Sequence, residues 1–401
     1  MSPKPDSGNG GSGDSADSDS GDSADTGPPS LDRLSGAMEG VPIESPGATL
    51  ELGAAVGWHD GLVWAGAPGS GEVFLLDAEG HWWSDVPDAH FGDALAGRPS
   101  GMLVGAWNSG AGMGAVHQLT ADTPSGQVDD GGSVLLEVDE AVGLVLAAGP
   151  TDDTWLLGRP RASGNMGVVQ MLDSDGGLAA DWHGVSAGAL LGGAIATGDL
   201  NGDGLQDVIL GAWGESGFRG AVYVFRGPVE GGDLADADTR WEGDDWALAG
   251  YALGSGDVDA DGYDDAVVGA FGDTRAGSGS GAVTVVPGAT PSGSLLDCDG
   301  HRLGPGLDAH LGTALTVADL DRDGHADIFA GAPDRSDGGL AALWYGPIAG
   351  VSDTNDAHLT LNQPGDGLGG SLAIDPDNRR LWVGVPGALD GAGSVLWVQA
   401  P

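Results

Sequence analysis

Three stretches of this 401-residue chain place side-chain oxygens at the same four positions. They are Asp199-Leu200-Asn201-Gly202-Asp203-Gly204-Leu205-Gln206-Asp207, Asp257-Val258-Asp259-Ala260-Asp261-Gly262-Tyr263-Asp264-Asp265 and Asp319-Leu320-Asp321-Arg322-Asp323-Gly324-His325-Ala326-Asp327. Oxygens at positions 1, 3, 5 and 9 can converge on one hard cation. The backbone carbonyl at position 7 (Leu205, Tyr263, His325) joins them, and the glycine at position 6 permits the sharp turn. Calcium takes about 6–8 oxygens at about 2.3–2.6 Å in irregular cages, whereas magnesium demands a near-ideal octahedron. Zinc prefers nitrogen or sulfur, and only His325 is near, at a position whose backbone is the expected ligand. One acidic nonapeptide reads equally well as a solvated turn. Three in one register predict three calcium ions.

An EF-hand would need an acidic residue at position 12 and a following helix. Position 12 here is Leu210, Val268 or Ala330, inside short apolar runs that read as strands. Each loop must therefore join two strands. The runs belong to a unit that recurs seven times, opening at Gly53, Gly92, Gly143, Gly192, Gly250, Gly312 and Gly369. A second anchor follows at Gly66, Gly105, Gly158, Gly211, Gly269, Gly331 and Gly384. A further strand comes next, such as Ala221-Val222-Tyr223-Val224-Phe225. Valine and aromatic runs bounded by glycine are strand signals. A period of about 40–60 residues with several strands per unit fits propeller blades. The anchors lie 19 residues apart in units four to six and 13 or 15 apart elsewhere. The remaining units thus make the same hairpin with a shorter turn and no cage; Asp375-Pro376-Asp377 is at most a remnant. Unit seven ends one strand short, so residues 48–51 are expected to supply its outer strand and close the ring, removing two sheet edges.

The expected fold is all-β: a seven-bladed β-propeller over 41–401, preceded by a Ser/Asp/Gly-rich tail over 1–40 with too little apolar surface to order itself. Glycine at 77 residues suits a turn-rich repeat. Sixty acidic against 14 basic residues give a net charge of −46, which repels phosphate backbones and argues against nucleic-acid binding. No run is long and apolar enough to span a membrane. The single Cys298 excludes an internal disulfide framework or thiolate zinc site.

These repeats resemble the FG-GAP family, best known from the propeller head of integrin α subunits. Phe91-Gly92 carries the first name element; Gly66-Ala67-Pro68 and Gly331-Ala332-Pro333 carry the second. Gly105-Ala106-Trp107, Gly211-Ala212-Trp213 and Gly269-Ala270-Phe271 are near matches, and unit three departs furthest, at Gly158-Arg159-Pro160. The resemblance implies seven blades with calcium in the hairpin between a blade's first two strands. Integrin-type leg domains and membrane span are absent from this sequence.

The functional expectation is a calcium-stabilised extracellular or cell-surface module that binds a protein, as in adhesion. The calcium is structural and the chain monomeric, with no catalytic residues assigned. The alternatives are a glycan-binding propeller, or a hydrolase or lyase with its site at the channel mouth. An acidic tail of this kind would follow a secretory or lipoprotein signal; no apolar segment follows Met1, and the alternative location is cytoplasmic. Most of the thirteen tryptophans, such as Trp382 and Trp397, fall at strand positions where core packing is expected.

Overall fold

The computed structural model describes residues 39–41 and 51–400, apart from 77, 87, 111–112, 121, 129–133, 139–143, 335–337 and 364–366. Within it lie seven separate antiparallel-built sheets, one per repeat, each ordered outward along the chain: a seven-bladed β-propeller. Blade four is representative. Its first strand, Leu191–Gly198, pairs with Asp207–Ala212, which pairs with Ala221–Phe225 and then with Thr239–Glu242. A short segment of the following blade, Gly293–Ser294, adds a parallel fifth strand to its edge. Blades one, three and five carry the same clasp.

The second and third strands are buried throughout because neighbouring blades cover both faces. That explains why they read as continuous apolar runs rather than alternating ones. Apolar clusters lie between blades: Val258, Val267 and Val285 of blade five pack with Ile328, Ala330 and Trp344 of blade six. Trp382 is fully buried in such a cluster; Trp397 packs partly buried against it and under the Arg380 guanidinium, 4.6 Å from the ring centroid.

The two glycine series meet in space. A Cβ placed on a blade's second anchor would strike the carbonyl oxygen of the next blade's opening glycine. The distance would be 1.9 Å for Gly66 on Gly92 and Gly331 on Gly369, 2.2 Å for Gly158 on Gly192 and Gly211 on Gly250, and 2.4 Å for Gly269 on Gly312. Gly384 meets Gly53 at 2.0 Å, joining blade seven to blade one. The opening glycines also hold φ between +82° and +94°, where a side chain is strained. The repeat is therefore written in glycine because backbones of adjacent blades touch. Gly158 serves like the others, so the departure at Arg159-Pro160 leaves the anchor intact. Gly143 lies outside the described residues.

First strands converge on the axis. A cavity of about 310 Å³ there is lined by residues from all seven, among them Ala55, Ala94, Ala194, Ala252 and Ala314. Ring closure differs in position from the expected 48–51, of which only Glu51 lies within the described residues. The outer strand of blade seven is Glu39–Val41, antiparallel to Ser394–Gln399, with Glu39 opposite Trp397 and Val41 opposite Val395. The edge of blade seven is thus covered from the N-terminal side, by a segment nearer the start than the hydrophobic pattern suggested. Leu52 then bridges to Gly393.

Candidate metal centres

All three nonapeptides sit between a blade's first and second strands, at the same end of the propeller. The first strand ends at Gly198, Gly256 or Ala318, and the second begins at the position-9 aspartate. Position 1 organises each loop: Asp199 accepts from the N–H groups of Gly202, Asp203 and Gly204, and Asp257 from Ala260, Asp261 and Gly262. Asp319 likewise accepts from Asp323 and Gly324. At position 3, Asn201, Asp259 and Asp321 each accept from the N–H of position 5. At position 5, Asp203, Asp261 and Asp323 accept from Leu205, Tyr263 and His325. The backbone is wound so that side-chain oxygens gather inside the turn.

Position 9 is the chemically telling one. Asp207, Asp265 and Asp327 are fully buried. Asp265 accepts from Val258 and Asp259 N–H on one oxygen and Gly288 N–H on the other. Asp327 accepts from Leu320 and Gly346 N–H, and Asp207 from Leu200 and Gly227 N–H. Burial pushes the Asp265 and Asp327 carboxyls up to about 7, against the pull of those N–H donors, and acidic neighbours add to the rise. Burial also raises Asp207, Asp259 and Asp321. A buried anion without a compensating charge is costly, and a cation at this place would repay it.

Asp257, Asp259 and Asp265 bring one carboxylate oxygen each within 4.8 Å of one another, as do Asp319, Asp321 and Asp327. Two acidic clusters are thereby formed from the expected set. In blade four the position-3 donor is the amide of Asn201, so Asp199 and Asp207 form no all-acid triplet there. Asp203, Asp261 and Asp323 are exposed and stand outside the triplets. Leu205 and Tyr263 expose their side chains. The all-oxygen donor set fits a hard divalent cation. The turn of blade seven does not repeat it: Asp375 is bonded by Asn378 through backbone N–H and side-chain amide.

The opposite end carries a feature the sequence reading passed over. A 580 Å³ cavity at the channel mouth is lined by Asp93, Trp107, Arg161, Trp213, Tyr251 and Thr313, among others. Trp213 and Tyr251 lie 5.5 Å apart by ring centroid, Tyr251 and Phe271 4.2 Å, and His90 stacks on Trp107 at 4.3 Å. Burial raises the Asp93 carboxyl and the Tyr251 phenol. The signal was present: Trp107, Trp213 and Phe271 each stand two residues after a second anchor, where other blades have proline.

Fold and loops together define a seven-bladed propeller of hairpin-inserted acidic repeats. Residues 191–225 and 311–344 match the FG-GAP repeat family. Integrin alpha-4 of Xenopus laevis is 32% identical over 158 residues, covering 37% of this chain and 15% of that protein. Integrin alpha-3 of Cricetulus griseus is 31% identical over 199 residues, covering 46% and 18%. The chain thus spans less than a fifth of these relatives' length. The solved structure described as "Streptogramin B lyase structure" superimposes with a TM-score of 0.50 over 91% of this chain and 98% of that one, at 12% identity, a likeness of fold alone. The protein is a β-propeller that carries FG-GAP repeats in blades four and six and is similar to integrin α subunits over part of its length. Among the described residues no helix is long and apolar enough to cross a membrane.

Proposed function

We propose that the chain is a calcium-stabilised protein-binding propeller acting outside the cell or at its surface, as an adhesion or recognition module. The Ser/Asp/Gly-rich stretch before Glu39 serves as its tether. The observation that carries the calcium reading is the fully buried position-9 carboxylate, repeated in three blades inside an all-oxygen loop. Asp199, Asn201, Asp203 and Asp207 with the Leu205 carbonyl would hold one ion. Asp257, Asp259, Asp261 and Asp265 with the Tyr263 carbonyl would hold a second, and Asp319, Asp321, Asp323 and Asp327 with the His325 carbonyl a third. The ions have a structural role: they fix three hairpins on one face, while the aromatic mouth lies on the other. Trp107, Trp213 and Tyr251, which line the mouth with Asp93, suit a protein partner that presents a cationic side chain to aromatic faces. No group in this arrangement is assigned a catalytic role.

Calorimetry with chelated protein tests the metal: three calcium equivalents and a melting temperature raised by calcium are expected, and no binding heat would overturn the reading. Capture of surface proteins by the wild type, lost in Trp213→Ala/Tyr251→Ala with unchanged melting, tests the mouth. Retention on a glycan array with no protein captured would replace the protein partner with a sugar.

A further inference from the structure

The three loops touch one another in a fixed order. The N–H of Asp264, position 8 of blade five, bonds the Asp199 carbonyl, position 1 of blade four, at 3.1 Å. The Asp199 N–H returns a 2.8 Å bond to Asp264 Oδ2. Blade six does the same to blade five: Ala326 N–H, again position 8, bonds the Asp257 carbonyl at 2.7 Å. Position 2 makes a second link, with Ala289 N–H on the Leu200 carbonyl at 2.7 Å and Ile348 N–H on the Val258 carbonyl at 2.6 Å. The position-2 side chains follow their carbonyls across the seam. Leu200 packs with Ala266 and Val268 of blade five, Val258 with Ile328 of blade six, and Leu320 with Leu381 of blade seven. Tyr263 closes the first seam further, since a Cβ on Gly202 would lie 2.2 Å from its ring. The last loop is tied to the turn of blade seven by the Arg322 guanidinium, which donates to the carbonyls of Pro376 and Asp377.

We infer that the three loops form a relay in which metal binding at one blade lowers the cost of ordering the next, so that calcium binds cooperatively with blade five as the obligatory link. The inference rests on the calcium reading. Its physical basis is simple. Positions 1 and 2 of a loop are held at once by their own turn and by the next blade, position 1 by position 8 of the next loop and position 2 by Ala289 or Ile348. A loop ordered by its ion therefore presents fixed partners to its neighbour, and the neighbour has less entropy left to lose. Among the described residues blades four and six share no such bond, so coupling between them runs through five. Linkage makes the effect reciprocal.

Hydrogen exchange of the amides of 201–205, followed during calcium titration of the full chain, reads blade four alone. Asp261→Ala empties blade five at an exposed position, and Asp323→Ala does the same for blade six. Asp264→Ala removes one inter-loop bond and leaves every proposed ligand in place. Emptying blade five is expected to raise the calcium midpoint of blade four by about 5-fold or more, the lower end of ordinary coupling. In the Asp264→Ala background that shift should fall at least threefold. Emptying blade six should move blade four less than emptying five does, and not at all once five is empty. A shift below twofold on emptying five overturns the relay while leaving the calcium reading standing. Absence of binding heat at any site overturns both.

Discussion

Replacing Asp265 with asparagine should stabilise the metal-free protein and destabilise the calcium-loaded one. In the folded chain without metal the Asp265 carboxyl rises from 3.8 to about 7, chiefly because it is desolvated. The folded state then holds a proton that the unfolded state has released between those values, so metal-free stability falls as pH climbs from about 4 to about 7 and is flat above. At about 1.4 kcal/mol per pH unit the ionised carboxylate costs up to about 4 kcal/mol at pH 8. Asparagine removes that cost. It has one acceptor oxygen where the carboxylate has two; kept on Val258 and Asp259, it turns its amide toward the Gly288 N–H, a loss of about 1–3 kcal/mol. In chelator at pH 8 Asp265→Asn should therefore be more stable than wild type by about 1–3 kcal/mol, and near pH 4 less stable by a similar amount. With calcium at about a thousand times its dissociation constant the wild type gains about 4.1 kcal/mol that the variant lacks, more than the variant's lead, and the order at pH 8 inverts. Urea denaturation of both proteins at pH 4 and 8, in chelator and in calcium, reads all four cells. The net charge of −46 repels itself more as pH rises, but in both proteins alike, so the difference between them isolates Asp265. A variant less stable than wild type in chelator at pH 8, by as much as at pH 4, would show that the buried carboxylate is not an uncompensated charge.

Gly331→Ala would drive a methyl to 1.9 Å from the Gly369 carbonyl, backbone against backbone, and is expected to cost more than about 3 kcal/mol in denaturation; normal stability would deny that adjacent blades touch there. Deleting residues 1–41 uncovers the Ser394–Gln399 edge. It should lower the melting temperature and promote self-association visible in light scattering, and an unchanged monomer would refute closure by Glu39–Val41. Arg322→Ala breaks an exposed link to blade seven and should cost less than about 1 kcal/mol; a larger loss in denaturation would make that link structural.

What could be read from the chain before its structure divides along a physical line. The two acidic clusters and the glycine anchors were legible because each is a local requirement. Carboxylates at fixed positions of one turn are brought together by that turn, and a residue without Cβ must stand where two backbones meet. The location of the closing strand was not legible. Three ladder pairs use backbone groups that every residue carries, so Glu39-Gly40-Val41 has no mark that residues 48–51 lack. The aromatic mouth was half legible. Trp107, Trp213 and Phe271 read as variants of a repeat consensus, and only the structure sets Trp213 and Phe271 against Tyr251 and brings Trp107 into the lining of the same cavity as Trp213.

The inter-loop bonds were invisible for a further reason. Position 8 is Gln206, Asp264 or Ala326, a position with no constant chemistry, because the bond that Asp264 and Ala326 share across the seam is through the N–H. Position 2 is Leu200, Val258 or Leu320, constant only in being apolar, because its side chain fills the next blade's core. The loops are therefore more than hairpin decorations. Their first two residues belong as much to the following blade as to their own, so on the proposed calcium reading an ion that fixed one hairpin would fix the packing of a seam. That reading gives a reason for the acidic loops to stand in consecutive blades: scattered among seven, each would order one seam, whereas side by side each is held from a neighbour whose own position is already fixed.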